Sequence, residues 1–153
     1  MVRRITFVVA LAGCTVLTAA AQQKPNFTGK WTVVSPADAI AGGPQTITHT
    51  DTTLRLVHGA EGADHNLEFI LDGKEHRSLM PSHGSEIVTL YTATWKGDKL
   101  TIASKSTYPN GNVLDQLQVW SLDAKGQLIV DLTETFTGRP AKTTQVVHRK
   151  LPS

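Results

Sequence analysis

Residues 99–136 read KLTIASKSTYPNGNVLDQLQVWSLDAKGQLIVDLTETF, and this stretch decides the fold of the chain. Two turn signals divide it, Pro109–Asn112 and Asp123–Gly126. An Asn-Gly pair such as the one at 110–111 supplies the positive φ angles that tight hairpins need. Between the turns, the side chains alternate with a period of two. Leu100, Ile102 and Ser104 share one face of the first segment, and Leu128, Val130 and Leu132 share one face of the third. The stretch therefore predicts three long strands joined by short hairpin turns.

The same pattern continues on both sides, with further turn signals at Asp72-Gly73, Lys96–Asp98 and Thr137–Pro140. No segment keeps a helical period over several turns, so strands account for the whole domain. The predicted strands lie near residues 30–35, 45–50, 53–58, 65–71, 75–80, 86–95, 99–108, 113–121, 127–136 and 142–150.

These strands predict an all-β fold, an antiparallel up-and-down meander of about 8–10 strands. Short turns pair neighbours in sequence, and a meander of this size avoids exposed edges by closing. We therefore expect a barrel or a strongly curled half-barrel. A two-sheet sandwich is the alternative, and its longer crossovers would have to come from residues 35–44 and 59–64.

The N-terminal segment, residues 1–21, has the features of a secretory signal peptide. Arg3 and Arg4 precede an uncharged apolar run from Ile5 to Leu17, and Ala19-Ala20-Ala21 gives small residues before Gln22. The run is shorter than the roughly 20 residues of a transmembrane helix. We expect cleavage after Ala21, a single domain at 22–153, and a secreted or periplasmic protein.

A second interpretation of this segment is a lipid anchor. Leu11-Ala12-Gly13-Cys14 resembles a bacterial lipobox, in which Cys14 is lipidated and the product is a membrane-anchored lipoprotein. The residues after Cys14 continue the apolar run where a polar tether is usual, which favours cleavage after Ala21.

Charge and cysteine content exclude several classes of protein. The full chain has 15 basic and 13 acidic residues, a formal charge of +2. Removal of residues 1–21 takes away Arg3 and Arg4, which leaves 13 of each sign, and it also takes away the chain's one cysteine. A neutral domain has no field to steer a nucleic acid or another polyanion towards it. Packing alone must hold such a domain together.

The opening of the domain resembles a known superfamily. Asn26–Trp31 contains a Gly-x-Trp, and Arg149 lies in the last strand, a combination that resembles the lipocalin and calycin superfamily. The chain is also similar to small secreted bacterial lipocalin-like proteins of unassigned function, through Asp72–Lys74, Trp95–Leu100 and Trp120–Leu122. The resemblance implies that Gly29, Trp31 and Arg149 close one end of the barrel, with Arg149 packed across the indole.

Candidate ligand-binding residues are the polar or amphipathic side chains that the alternation places inside. They are Tyr91, Trp95, Ser104, Ser106 and Glu134. A barrel of this size can enclose one small ligand, in a pocket with apolar walls and a few polar groups.

The register of the hairpin between strands 113–121 and 127–136 decides which polar residues face Glu134. If Ser121 opposes Leu128, Asp115 faces Glu134 and two carboxylates meet inside the barrel. A shift of one residue instead puts Gln118 and Trp120 inside and pairs Gln116 with Glu134. The sequence leaves both registers open.

The six histidines offer little metal chemistry, because they are scattered and none has the spacing of a ligand pair: His49, His58, His65, His76, His83 and His148. His49 and His58 would approach each other across a hairpin, with Asp51 near its turn. His148 resembles the late axial histidine of nitrobindin-like haem barrels, but Gly29–Val33 does not continue the longer Trp motif of those proteins. We expect no metal and no cofactor.

Catalysis is also not expected. Gly84-Ser85-Glu86 lacks the Gly-x-Ser-x-Gly elbow of a nucleophilic serine. We expect a non-enzymatic exported barrel that binds a small apolar or amphipathic molecule. The alternative is a structural or interaction module of the cell envelope that works through its outer surface.

Overall fold

The structure is a computed structural model that describes residues 24–36, 43–58, 66–82 and 84–152. The predicted signal segment with Cys14, and also His65 and His83, lie outside the described residues. Within the described ranges the chain forms ten strands: β1 (Gly29–Ser35), β2 (Gln45–His49), β3 (Thr53–His58), β4 (Asn66–Ile70), β5 (His76–Ser82), β6 (Ser85–Lys96), β7 (Lys99–Thr107), β8 (Val113–Leu122), β9 (Leu128–Phe136) and β10 (Lys142–Lys150).

All ten strands belong to one antiparallel sheet with the order β4-β3-β2-β1-β10-β9-β8-β7-β6-β5. Neighbours in sequence are neighbours in the sheet, apart from β4 and β5, which form its two edges, and β1 pairs with β10. The barrel nearly closes where β4 and the turn after it contact β6: Ile70 N–H donates to the Tyr91 hydroxyl (3.3 Å) and Gly73 N–H donates to the Ala93 carbonyl (3.1 Å). The result is a nearly closed up-and-down barrel, which confirms the predicted fold and excludes the two-sheet sandwich.

The apolar core is concentrated at one end of the barrel, which we call the plugged end. Trp31, Leu54, Leu100, Trp120 and Leu128 meet there, each at most 2% exposed. Lys24–Thr28 runs across this end, and its fully buried Phe27 ring stacks on Trp95 (5.9 Å) and meets Trp120 edge-on (5.8 Å). Trp95 lies on β6 and Trp120 on β8, two strands apart in the sheet. The Phe27 ring therefore contacts both strands and closes this end of the barrel.

The other end of the barrel, the opposite end, carries the β7–β8 and β9–β10 turns. Gly111 adopts a positive φ of 81°, and its N–H donates to the Tyr108 carbonyl at 2.9 Å, as the Asn-Gly signal predicts. Tyr108 meets Phe136 edge-on at 6.0 Å at this rim. In the described part of the chain there is no helix long and apolar enough to span a membrane.

Candidate ligand-binding cavity

The barrel interior holds a cavity of about 350 Å³ between β1–β4 on one side and β8–β10 on the other. Most of its wall is apolar, formed by Val33, Leu56, Leu67, Phe69, Trp120, Val130, Leu132 and Val146. The inward alternation of the strands produces this wall, because even-numbered residues of β8, β9 and β10 all point to the same face. A cavity of this volume holds about a dozen water-sized groups.

Five uncharged or weakly basic polar side chains also line this cavity: Gln45, His58, Gln116, Gln118 and His148. Gln45 and His58 are a cross-strand pair between β2 and β3. Gln116 and Gln118 lie on β8, across the barrel from β4. Apolar walls with a few placed polar groups are the usual composition of a small-molecule site.

The two glutamines of β8 are held by neighbouring side chains. Gln116 Nε2 donates to Glu134 Oε1 at 2.8 Å, and Gln118 Oε1 accepts from Trp120 Nε1 at 2.9 Å. Both amides are thereby oriented by the barrel itself, before any ligand arrives.

His148 and Gln45 are the most enclosed polar groups of the cavity wall, each with 7% of its surface exposed. His148 Nδ1 has no hydrogen-bond partner among the described residues. Burial lowers the pKa of His148 below its ordinary value; the nearby Leu128 carbonyl opposes this shift and the neighbouring His58 adds to it. The ring is therefore neutral at pH 7, with one nitrogen that donates and one that accepts.

A second cavity of about 170 Å³ lies beside the gap between β4 and β5. Leu67, Phe69, Gln116 and Gln118 border both cavities, so these four residues form a waist across the interior. The smaller cavity extends the interior towards Tyr108 at the opposite end.

The predicted ligand-binding residues are divided among three places. Tyr91 and Ser104 line the smaller cavity, as does Ser106, whose hydroxyl bonds to that of Thr89 at 2.8 Å. Glu134 is half-buried beside Gln116 and borders neither cavity. Trp95 lies in the plugged end, where Lys24 Nζ is 5.5 Å from its ring centroid. The structure therefore brings Tyr91 and Ser104 together but places Trp95 and Glu134 elsewhere.

The register of β8 against β9 excludes the carboxylate pair that one of the two open registers would have formed. Leu122 opposes Leu128 and Gln116 opposes Glu134, whereas Asp115 opposes Thr135 on the outer face. Asp115 instead contacts Lys105, with Nζ and Oδ1 3.6 Å apart, and both side chains are exposed. Of the two registers that the sequence leaves open, the one that pairs Gln116 with Glu134 is therefore the one that forms.

The cation beside Trp31 differs from the one that the superfamily resemblance implied. Trp31 opposes Lys150, whose Nζ lies 5.5 Å from the indole centroid, while Arg149 opposes Thr32 and is exposed on the outer face. Trp31 Nε1 donates to the Phe27 carbonyl at 2.9 Å. Gly29, at φ 149°, leaves room for the Lys150 side chain over its Cα. The prediction that Arg149 packs across the indole is wrong, because the next residue, Lys150, makes that contact.

His49 and His58 do not meet, so the approach across their hairpin that the sequence left open does not form. His49 opposes Leu54 and His58 opposes Gln45, so the two rings lie at different ends of β2 and β3. His49 belongs to the plugged end, where its Nδ1 accepts the Phe27 N–H at 3.3 Å. The described ranges contain no group of three or more His, Cys, Asp or Glu side chains arranged to hold a metal ion.

Gln45, Gln116 and Gln118 were not among the residues predicted to bind a ligand. A usable signal exists for two of them, because Gln116 and Gln118 share the face of Trp120 at alternate positions of one strand. That signal depends on the register of the β8–β9 hairpin. For Gln45 the sequence offers only a polar residue at the start of a strand.

Comparison with known proteins gives a likeness in shape. No protein-family model matches the chain, and no curated protein sequence matches it. Among solved structures, the chain is similar to secretory abundant heat soluble protein 4 from Ramazzottius varieornatus, with 16% sequence identity and a TM-score of 0.49 over 86% of this chain and 99% of that chain. The function of the barrel must therefore be inferred from its own residues.

Proposed function

We propose that this protein binds a small amphipathic molecule inside the barrel and has no catalytic activity. One observation carries the proposal: the cavity of about 350 Å³ combines an apolar wall with five polar side chains that converge on one space. A barrel filled by its own side chains would leave no such space. Residues 1–21 support the further proposal that the protein acts after export from the cytoplasm.

A cavity-filling variant tests interior binding. Leu132 lines the cavity beside its cross-strand partner Gln118, so Leu132→Trp should fill part of the space. We expect it to weaken binding of 1-aminonaphthalene, a neutral dye of about a dozen non-hydrogen atoms, by about tenfold or more. Dye fluorescence titrated against purified protein measures this effect, and native mass spectrometry detects any molecule that copurifies.

The matched control is Leu117→Trp, the same change on the outer face of the neighbouring strand, where Leu117 is 44% exposed. We expect this variant to bind 1-aminonaphthalene as the unmodified protein does. Equal binding by unmodified protein and Leu132→Trp would contradict interior binding, and loss of binding in Leu117→Trp alone would move the dye to the outer surface.

A second candidate function, an envelope interaction module, is favoured by one feature of the outer surface. An open groove of about 460 Å³ runs over β6–β9, with Leu90 and Leu117 exposed on its floor and Ala103 between them. Exposed apolar side chains in one concave patch are typical of contact surfaces. If this module is the function, replacement of Leu90 and Leu117 by Lys should abolish capture of a partner and leave binding of 1-aminonaphthalene unchanged.

A further inference from the structure

Among the described residues, a buried polar atom without a partner distinguishes the larger cavity from an ordinary barrel core. Three polar side chains are buried among the described residues: Gln45, Ser106 and His148. Ser106 is satisfied by Thr89, whereas His148 Nδ1 is buried and has no partner among the described residues. Gln45 is 7% exposed and lines the same cavity. A buried polar atom without a partner costs stability until water or a ligand satisfies it.

The two buried polar residues of this cavity, Gln45 and His148, lie on either side of the same strand. Gln45 opposes Trp31 on one side of β1, and His148 opposes Val33 on the other side. His58, the cross-strand partner of Gln45, lines the same wall. We call Gln45, His58 and His148 the polar trio; it faces the cavity from β2, β3 and β10.

The cavity wall carries no fixed charge. None of the described residues that line it is Asp, Glu, Lys or Arg, and its titratable members are His58 and His148. A carboxylate or an ammonium group would lose its hydration there without meeting an opposite charge, which is costly. The half-buried Glu134 beside Gln116 adds a further penalty for an anion.

We infer that the ligand is an uncharged amphiphile whose hydroxyl or amide group hydrogen-bonds to the polar trio while its hydrocarbon part packs on Leu56, Phe69 and Val130. This inference rests on the proposed function and narrows its ligand class. A hydroxyl group suits the site because it both donates and accepts, and so matches either nitrogen of a neutral imidazole. Burial lowers the pKa of His148, which keeps that ring neutral and in need of such a partner.

The volume limits the size of the ligand. At about 30 Å³ for each water-sized group, the cavity accepts roughly a dozen non-hydrogen atoms. A medium-chain alcohol or amide fits this limit, with the head group at the trio and the chain directed towards the waist at Leu67 and Phe69.

Three probes that share one alkyl chain test the inference: 1-octanol, octanoate and octylammonium. Each is titrated into the full mature protein by isothermal calorimetry at about pH 7.5, where the acid and the amine are charged. We expect 1-octanol to bind at least about tenfold more tightly than either ion. Equal affinities for all three would overturn the inference and leave the proposed function standing, whereas binding by none would overturn both.

Gln45→Leu separates a ligand contact from a structural role. Because Gln45 is buried in a largely apolar wall, we expect this variant to unfold at the same or a higher denaturant concentration, yet to bind 1-octanol about tenfold more weakly. The control is Gln145→Leu, which removes an exposed outer-face amide bonded to Asp131 (2.8 Å) and should leave the affinity for 1-octanol unchanged.

Gln45→Met gives a second variant of similar length should the branched leucine fit poorly. Unchanged 1-octanol affinity in a folded Gln45 variant would overturn the inference. Loss of stability in both variants would also overturn it, since the amide would then serve the fold.

Discussion

At the scale of single residues, Phe27 holds the plugged end together. Its ring stacks on His49 at 5.5 Å and on Trp95, and its backbone both donates to His49 Nδ1 and accepts from Trp31 Nε1. We predict that Phe27→Ala lowers the free energy of unfolding by about 3–5 kcal/mol, since a large apolar ring is lost from a fully buried site. Chemical denaturation followed by tryptophan fluorescence measures the change.

A graded series distinguishes packing from the backbone contacts. Phe27→Leu keeps the backbone hydrogen bonds and part of the volume, so it should cost less than Phe27→Ala. Trp31→Phe removes the indole N–H and leaves the Phe27 carbonyl unpaired, which should cost about 1–3 kcal/mol beyond the change in packing. A Phe27→Ala variant as stable as the unmodified protein would show that Lys24–Thr28 does not seal the barrel.

The misplaced cation at Trp31 shows why single-residue contacts are harder to predict than strands. Trp31 was expected at the barrel end because a Gly-x-Trp opens the first strand. The family resemblance points to Arg149, but neighbouring strand residues point to opposite faces, and it is Lys150 that shares the face of Trp31. One position of register therefore decides which cation meets the indole, and no local feature of the sequence sets that register.

At the scale of elements, the contact between β4 and β6 sets how far the barrel closes. The Tyr91 hydroxyl accepts the Ile70 N–H in the gap that the unpaired edges of β4 and β5 leave. We predict that Tyr91→Phe lowers the free energy of unfolding by about 1 kcal/mol. The Ile70 amide should also exchange its hydrogen faster, as measured by exchange NMR.

Tyr108→Phe is the control for this prediction, because Tyr108 lines the same smaller cavity but its hydroxyl bonds to no described residue. Exchange at Ile70 should be unaffected by it. An Ile70 amide equally protected in Tyr91→Phe would mean that β4 is held by its pairing with β3 alone.

Strand positions were predictable because turn residues punctuate the chain, and every predicted strand forms within a few residues of its expected bounds. The register of β8 against β9 was not predictable from the sequence, since Asp123–Gln127 fits more than one loop length. In the structure the Asp123 carboxylate accepts the N–H groups of both Lys125 and Gln127 at 2.8 Å, which draws Gln127 into the loop. That contact pairs Leu122 with Leu128 and turns Gln116 and Gln118 inward. The candidate site thus depends on one side-chain interaction in a turn.

At the scale of the whole molecule, a barrel with balanced charge depends on two enclosed histidines for its response to pH. Burial lowers the pKa of His49, opposed by the nearby Asp51 and aided by Lys24, and burial also lowers the pKa of His148, aided by His58. Each of these two histidine rings therefore binds a proton less readily in the folded protein than in the unfolded chain.

The sign of the effect follows from that difference. Above the ordinary histidine pKa of about 6.5, both rings are neutral in either state and their contribution to stability is complete. As the pH falls from there towards the lowered pKa values, the unfolded chain binds more protons and the folded state loses stability. Protonation of His49 also ends its acceptance of the Phe27 N–H, so the loss extends to the plugged end. We predict that the denaturant concentration at the unfolding midpoint decreases as the pH is lowered from about 7 to about 5. The double variant with His49→Gln and His148→Gln should show a smaller decrease. A double variant whose midpoint declines as steeply as that of the unmodified protein would assign the pH response to other groups, because glutamine keeps polarity at both sites and removes only the titration.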